Sequence, residues 1–429
     1  MTRIERVTAT PGVSAFFADD QAAITAGAES DGFAYADSPE TPGFARIREP
    51  GESLLVELSL SDGRVVRGDC AAVQYAAAGD RDPLFRAADH VEAVETRLGD
   101  ALVGREATAL SRNSAVLGEA DVHSAVEYGL SQALVAAAAA ARRTTQTHVL
   151  ADTLGTEPAT DPVPVFGQSG ADRRRTAEKM LLKRVAVLPH GLFNSLETVG
   201  PDGERLVEYL SWLSDRATEL GSSDYRPRFH VDIYGMFERL FGPPYDRPAV
   251  TAYVRELERA AAPYPLQLEE PTIADGRADQ IAAMATLRDA LADAGVGVDL
   301  VADEWCDSRA DVEAFVDAGA ADLVQVKTPD VGRLLESGRA VEYCAGTDTR
   351  AYLGGTCNET TLSARASAHV GLATDAAQLL AKPGMGFDEG HAVVTNEMRR
   401  TLARHRRSQS TDGTRGDTTE TTATDKQTE

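Results

Sequence analysis

From about residue 161 the sequence alternates between short apolar runs and amphipathic helical patterns, and this rhythm restricts the fold more than any other feature. The apolar runs lie at 163–166, 184–188, 228–234, 266–269, 298–303, 323–327 and 341–345, and the helical patterns include 202–220, 249–262, 278–294 and 308–318. Strands that alternate with helices at this spacing pair in parallel through right-handed crossovers. Seven or eight such units in roughly 240 residues predict an α/β fold of the (β/α)8 barrel type, with an open doubly wound sheet as the alternative.

The first part of the chain follows another order, with strand patterns before helical ones. Strand-like segments occur at 4–10 and 53–60, and helical patterns follow near 83–98, 106–117 and 121–143. Strands followed by helices are typical of an α+β domain. We therefore predict an N-terminal α+β capping domain at 1–160, a barrel domain at 161–406, and a disordered acidic tail at 407–429, where Ser, Thr, Asp and Gly dominate.

The charge balance excludes two classes of partner. The chain has 43 basic and 67 acidic residues, a formal net charge of −24. Such a surface repels nucleic acids and anionic lipids, so we expect neither as a partner. Only five of the basic residues are lysines, and an acidic, lysine-poor chain is typical of a cytoplasm at high salt, where ions screen self-repulsion. The four cysteines form no CxxC pair and the N-terminus has no apolar signal core, which also favours the cytoplasm.

Four apolar runs end in a charged residue where a buried strand would normally stay apolar. These residues are Asp232, Glu269, Asp303 and Lys327. The carboxyl ends of barrel strands converge on one mouth, so we expect the side chains to meet there. Three carboxylates in one small space are costly unless a hard cation such as Mg²⁺ or Ca²⁺ neutralises them. The alternative for each acid alone is an ordinary strand end facing solvent. Glu270 points to the opposite face from Glu269 and is expected to be structural.

Lys327 is a candidate general base. Burial near a metal ion would favour its neutral form, so its pKa is expected to be lowered, and a neutral amine can accept a proton from carbon. Gln325 lies two residues earlier on the same face and could bind a substrate carboxylate. His190 follows another apolar run and could be a second acid or base, or an oxyanion donor. The alternatives are a lysine that extends into solvent at a helix start and a structural histidine.

The order His, Asp, Glu, Asp, Lys on successive barrel strands resembles the enolase superfamily, whose use of a Lys or His base with Mg²⁺ is a known pattern. Local motifs narrow the resemblance to the methylaspartate ammonia-lyase family. They are Val-Phe-Gly-Gln-Ser-Gly (165–170), Leu-Pro-His-Gly-Leu-Phe-Asn (188–194), His-Val-Asp-Ile-Tyr-Gly (230–235), Gln-Val-Lys-Thr-Pro-Asp (325–330), Gly-Gly-Thr-Cys-Asn-Glu-Thr (354–360) and Lys-Pro-Gly-Met-Gly-Phe-Asp-Glu-Gly (382–390). The resemblance extends from the first strand to about residue 405.

The resemblance implies a role for each candidate residue. Mg²⁺, assisted by K⁺, would be bound through Asp232, Glu269 and Asp303. Lys327 would be the base, with His190 across the substrate. The substrate's polar groups would be bound by His190, Gln168, Gln325, Thr356 and the backbone of Cys357.

The implied reaction is the reversible, Mg²⁺-dependent elimination of ammonia from (2S,3S)-3-methylaspartate through an enediolate, which gives mesaconate. The resemblance also implies a homodimer and a place in amino-acid metabolism, either acetyl-CoA assimilation or glutamate fermentation. Two alternatives stay open. One is another dehydratase or racemase of the same superfamily, although the chain has no second lysine on the His190 strand. The other is a non-catalytic metal-binding barrel.

Overall fold

The N-terminal part of the chain is built on a three-stranded antiparallel sheet. The computed structural model describes residues 1–77, 81–242 and 246–416. The elements here are β1 (Ile4–Asp19), α1 (Gln21–Thr25), β2 (Ser30–Asp31), β3 (Ala34–Tyr35), β4 (Arg48–Leu60), β5 (Val65–Ala71), α2 (Ala87–Glu92), a π-helical turn (Ala93–Leu98), α3 (Gly99–Leu102), α4 (Leu110–Gly118), α5 (Ser124–Arg142) and α6 (Gln146–Leu154). The sheet order is β1–β4–β5, and β2 pairs with β3.

The alanine-rich helix α5 packs closely against this sheet. Strand β4 buries Leu54, Val56 and Leu58, the alternating set that the sequence places on one face. A Cβ at Gly68 in β5 would overlap the backbone of α5, and a Cβ at Gly129 in α5 would overlap Cys70. Two facing glycines therefore allow the helix backbone to approach the strand.

The remaining elements form a closed, parallel, eight-stranded barrel. They are β6 (Val165–Gln168), α7 (Arg173–Leu182), β7 (Val187–Leu192), α8 (Leu196–Val199), α9 (Glu204–Leu220), β8 (Arg228–Asp232), α10 (Met236–Phe241), α11 (Arg247–Ala261), β9 (Leu266–Glu269), α12 (Arg277–Asp293), β10 (Asp299–Ala302), α13 (Arg309–Asp317), β11 (Leu323–Val326), α14 (Thr328–Val331), α15 (Leu334–Ala345), β12 (Arg350–Leu353), α16 (Thr361–Thr374), β13 (Gln378–Leu380) and α17 (Asp388–Gly416). Each strand pairs with the next, and β13 pairs with β6. The predicted (β/α)8 barrel is confirmed and the open sheet is excluded.

Two barrel strands differ from the sequence prediction. The apolar run 341–345, predicted as a strand, lies in α15, where Val341 and Cys344 are buried on one face of an amphipathic helix. The strand in this part of the barrel is β12, which begins five residues later. The last strand, β13, has three residues and was not predicted. Short apolar runs do not distinguish a buried strand from the buried face of a helix, which explains the error.

The predicted domain limits and tail remain predictions. Residues 407–416, assigned to a disordered tail, continue α17 in the structure, and 417–429 lie outside the described residues. Within residues 1–77, 81–242 and 246–416, no helix is long and apolar enough to cross a bilayer.

The N-terminal sheet and the loop after it reach the barrel mouth. The carbonyl of Phe17 accepts a hydrogen bond from Nδ2 of Asn358, which follows β12, at 3.0 Å. Arg81 places its guanidinium 2.9 Å from both Glu304, after β10, and Asp330, in α14. These contacts fix the N-terminal domain over the carboxyl ends of the barrel strands.

Candidate active site

A cavity of about 350 Å³ opens where the N-terminal domain meets the barrel mouth. Every predicted site residue except Glu269 lines it, and these are Gln168, His190, Asp232, Asp303, Gln325, Lys327, Thr356 and Cys357. Glu269 is fully buried next to the cavity, where the amide of Gln325 donates to its Oε1 at 3.0 Å. The structure thus brings the whole predicted set together at the carboxyl ends of the strands.

The three predicted metal ligands form a crowded acidic cluster. The amide of Gln325 donates to both Glu269 and Asp303, so those carboxylates lie side by side. Burial, followed by the charges of Glu269 and Asp303, raises the pKa of the Asp232 carboxyl well above its usual range. Burial also raises the pKa of Asp303 to about 7, against the opposing effect of Lys327. Without a cation, the ionised forms of Asp232 and Asp303 are therefore disfavoured.

Glu269 is fixed by hydrogen bonds from two neighbouring side chains. His230 donates from Nε2 to Oε2 at 2.6 Å, and the hydroxyl of Tyr352 donates to Oε1 at 2.6 Å. Burial raises the pKa of the Glu269 carboxyl, but His230 and His190 outweigh it and hold it well below the usual range. Sequence reasoning missed His230, although it lies two residues before Asp232 and so faces the same side of β8.

Lys327 faces this cluster, and carboxylates surround its amine. Its Nζ lies 2.8 Å from Oδ1 of Asp303 and 3.8 Å from Oε1 of Glu304. Burial and Arg81 lower the pKa of the Lys327 ammonium, but Asp303, Glu304 and Asp330 outweigh them and raise it. Without a cation, the carboxylates around the amine stabilise its charged form, and the lowered pKa expected beside a bound metal stays a prediction.

Glu304 and Arg81 are site residues that the sequence analysis did not single out. Glu304 lines the cavity, and its Oε2 accepts a hydrogen bond from Nη2 of the buried Arg81 at 2.9 Å. The position of Glu304 directly after Asp303 was an available signal. Arg81 lies in a loop without periodicity, so no local pattern could locate it at the barrel mouth.

The remaining predicted residues surround the space in front of the cluster. Nε2 of His190 lies 3.5 Å from Oε2 of Glu269. Burial lowers the pKa of His190, but Glu269 and the acids nearby outweigh it and raise this pKa to about 9. Gln168 donates to the carbonyl of Ala381 at 3.2 Å, and the thiol of Cys357 donates to Oε1 of Gln74 at 3.1 Å. Gln74, which the sequence analysis missed, also lines the cavity.

Glu270 has the structural role that strand alternation predicts. Its φ is +46°, so the chain turns sharply after Glu269. Its carboxylate accepts the backbone N–H groups of Asp303 at 2.7 Å and Glu304 at 3.1 Å. Glu270 therefore fixes the end of β10, and with it the direction of the two acids that follow.

The donor set fits a divalent cation with a preference for oxygen. Ligand atoms of His190, Asp232 and Glu269 all lie within 4.8 Å of one another. His190 is held protonated by its acidic neighbours, which makes it a poor ligand. Asp303 shares the Gln325 amide with Glu269 and offers a third carboxylate. Buried carboxylates that repel each other provide the oxygen chemistry that Mg²⁺ requires.

Comparisons with known proteins cover both parts of the chain. The family model of the methylaspartate ammonia-lyase N-terminus matches residues 2–155, and that of the methylaspartate ammonia-lyase C-terminus matches residues 157–407. The chain belongs to the methylaspartate ammonia-lyase family. This result confirms the resemblance that the motifs carried, and it places the chain among the carbon–nitrogen lyases.

Individual members of the methylaspartate ammonia-lyase family agree with this assignment. The enzyme of Haloarcula marismortui is 63% identical over 94% of this chain and 97% of its own length. A crystal structure of the Citrobacter amalonaticus methylaspartate ammonia-lyase containing (2S,3S)-3-methylaspartic acid has a TM-score of 0.91 and 44% identity, covering 94% of this chain and 100% of that one. A Mg complex of β-methylaspartase from Clostridium tetanomorphum has a TM-score of 0.89, with the same identity and coverage.

Proposed function

We propose that this chain catalyses the reversible elimination of ammonia from (2S,3S)-3-methylaspartate to give mesaconate, with Mg²⁺ as its metal. The observation that carries the proposal is the position of Lys327, whose amine contacts Asp303 at 2.8 Å and lines the same small cavity as Asp232, next to the buried Glu269. A volume of about 350 Å³ lies at the lower end of the range of small-molecule sites and suits a short amino acid. Family membership supports the same reaction.

The reaction assigns Lys327 the role of general base. The neutral amine takes the proton from C3, and the C–H electron pair moves into the adjacent carboxylate to give an enediolate. Return of this pair forms the C2–C3 double bond while the C2–N bond breaks and its electrons leave with ammonia. His190, on the other side of the cavity, donates to the substrate carboxylate and stabilises the charge that develops on it. Gln168, Gln325, Thr356 and the Cys357 backbone bind the remaining polar groups and hold C3 against the amine.

Asp232, Glu269 and Asp303 would hold the metal. Bound Mg²⁺ would supply positive charge that polarises the substrate carboxylate next to C3. It would also compete with Lys327 for the protein carboxylates that keep the Lys327 amine charged. The side chains of the N-terminal domain that line the cavity, Gln74 among them, would exclude water from the reacting atoms.

The decisive experiment is an assay of the purified protein in high salt. (2S,3S)-3-methylaspartate is supplied with Mg²⁺ or with EDTA, and mesaconate is followed by its ultraviolet absorbance. We expect absorbance to rise only with Mg²⁺, and to rise again when Mg²⁺ in excess is added to the chelated sample. Turnover that is equal in EDTA would contradict the metal, and no turnover in either sample would contradict the substrate.

The remaining expectations extend this proposal. The excess of 67 acidic over 43 basic residues and the similarity to the Haloarcula marismortui enzyme support activity at molar salt.

We also propose a cytoplasmic homodimer without nucleic-acid or membrane partners, and K⁺ as a helper ion. Light scattering in molar KCl measures the oligomeric state, and replacement of KCl by NaCl measures the K⁺ effect.

A further inference from the structure

A second lysine, Lys382, is sealed beneath the active site and does not itself line the cavity. Lys382 and Glu359 both have 0% exposed surface, and neither lines the cavity. Nζ of Lys382 lies 2.6 Å from Oε1 of Glu359. Lys382 begins the glycine-rich motif at 382–390, to which the proposed reaction assigns no role. A fully buried ion pair is costly to form, so its place in the fold calls for an explanation.

The ammonium of Lys382 joins two segments that carry proposed site residues. It donates to the carbonyl of Gly354 at 2.5 Å and to the hydroxyl of Thr328 at 3.2 Å, in addition to Glu359. Thr328 directly follows Lys327 at the end of β11. Gly354 directly follows β12 and lies two residues before Thr356. The three hydrogen bonds therefore set the distance between the strand end bearing the base and the loop bearing Thr356.

The loop is packed too tightly to hold another position. A Cβ at Gly354 would overlap the amide of Gln325, and a Cβ at Gly355 would overlap Nζ of Lys382. The φ of Gly355 is +144°, a region that side chains disfavour. The loop backbone thus lies between Gln325, which lines the cavity, and the buried ammonium of Lys382. A shift of Lys382 would therefore move both the loop and Gln325.

The N-terminal domain holds the other side of the ion pair. The hydroxyl of Tyr128, in α5, donates to Oε2 of Glu359 at 2.8 Å and lies 3.0 Å from Oγ of Ser367 in α16. Glu359 therefore accepts from Lys382 on one oxygen and from Tyr128 on the other. The ion pair connects the capping domain, the end of β11 and the loop after β12 in one network without water access.

We propose that Lys382, acting with Glu359, is a positioning residue of the ammonia-lyase reaction. It fixes Lys327 relative to the loop that carries Thr356, so that the amine is held at the distance needed for removal of the C3 proton. The inference rests on the proposed function, because the effect is expected on that reaction. Substrate binding depends on many contacts around the cavity, whereas proton transfer depends steeply on one distance. Loss of Lys382 should therefore lower kcat far more than it raises KM.

The test compares Lys382→Met with Lys183→Met, which removes a lysine from an ion pair on the protein surface. For each variant we would measure the thermal midpoint, kcat and KM well below that midpoint, the mesaconate dissociation constant, and the kinetic isotope effect with substrate deuterated at C3. We expect Lys382→Met to lose at least about 30-fold in kcat, with KM and mesaconate affinity within about threefold and an isotope effect no smaller than that of the wild type. Lys183→Met should match the wild type.

Two further variants keep the inference testable if a lone Glu359 prevents folding. Lys382→Met/Glu359→Leu removes both charges together, and Tyr128→Phe removes one hydroxyl without leaving a charge unpaired. We expect the double variant to lose kcat as the single one does, and Tyr128→Phe to lose several-fold. A folded double variant with kcat within threefold of the wild type would overturn the positioning role. Wild-type protein that makes no mesaconate would instead overturn the proposed function, so the two failures are distinct.

Discussion

Two lysines are buried against carboxylates in this barrel, and the charge around them differs. Lys382 has one acidic partner, Glu359, and its other contacts are a carbonyl and a hydroxyl. Lys327 contacts Asp303 and Glu304 at a cavity that Asp232 also lines, next to the buried Glu269. The sealed site pairs one ammonium with one carboxylate, whereas the open site crowds several carboxyl groups around one ammonium.

This difference indicates which site is prepared for a ligand. In a balanced, sealed ion pair each polar group already has a partner, so binding of a cation or a substrate would add no stability there. A crowded set of carboxylates gains stability when a cation binds, and the stabilisation is available to a reaction that takes place there. Burial of a lysine is thus no sign of catalysis by itself, and the uncompensated charge beside it is the better indicator.

The largest expected effect is on catalysis at the open site. Lys327→Ala should lower kcat by at least about 10³-fold, because general-base catalysis contributes about 10²–10⁴ and the amine also positions the substrate. The measurement is mesaconate absorbance under saturating substrate. Lys183→Ala is the matched control and should keep wild-type turnover. A Lys327→Ala protein with kcat within tenfold of the wild type would show that another group removes the proton.

The next effect is on metal-dependent stability. Mg²⁺ at about 100 times its Kd should stabilise the wild-type protein by about 2.7 kcal/mol relative to the chelated protein. Asp232→Asn should abolish most of this response and raise the midpoint of the metal-free protein, since burial and neighbouring acids already oppose the charge of Asp232. Calorimetry with and without EDTA measures both, with Asp388→Asn as the control. An undiminished Mg²⁺ response in Asp232→Asn would exclude this residue as a ligand.

A smaller effect concerns pH in the chelated protein. Burial outweighs the opposing effect of Lys327 and, with smaller contributions from Glu304 and Glu269, raises the pKa of Asp303 from 3.8 to about 7, so the folded state binds a proton more tightly than the unfolded state does. The resulting stability is fully present below pH 3.8 and is lost as the pH rises through about 7. We expect the free energy of unfolding to fall steadily across this window. Urea unfolding at several pH values should show this slope, and Asp303→Asn should flatten it.

The sequence predicted the open site better than its surroundings. Strand β9 was predicted with its observed limits, and the charged ends of β8, β9 and β10 meet at the mouth, because strand alternation and barrel geometry are local rules. The ion pairs were not predictable in the same way. Arg81 reaches Glu304 across 223 positions and Tyr128 reaches Glu359 across 231, so their pairing depends on the packing of the two domains. The pKa of the metal-free Lys327 depends on packing in the same way, since Asp303, Glu304 and Asp330 surround its amine only in the folded chain.

The smallest effect is expected at a third lysine–carboxylate contact, which lies on the surface. Lys179 and Lys183 place their ammonium groups 2.8 Å and 2.5 Å from the carboxylate of Asp388, and all three side chains are about 40% exposed. Two cations share one anion here, yet water already solvates each charge, so Asp388→Asn should cost less than about 1 kcal/mol of stability and leave kcat unchanged. Urea unfolding and the mesaconate assay check both values. A cost as large as that of Lys382→Met would mean that pairing itself, and not burial, sets the energy of these contacts. A small cost would confirm that a lysine–carboxylate pair contributes a different free energy in solvent, in the core and beside a cavity.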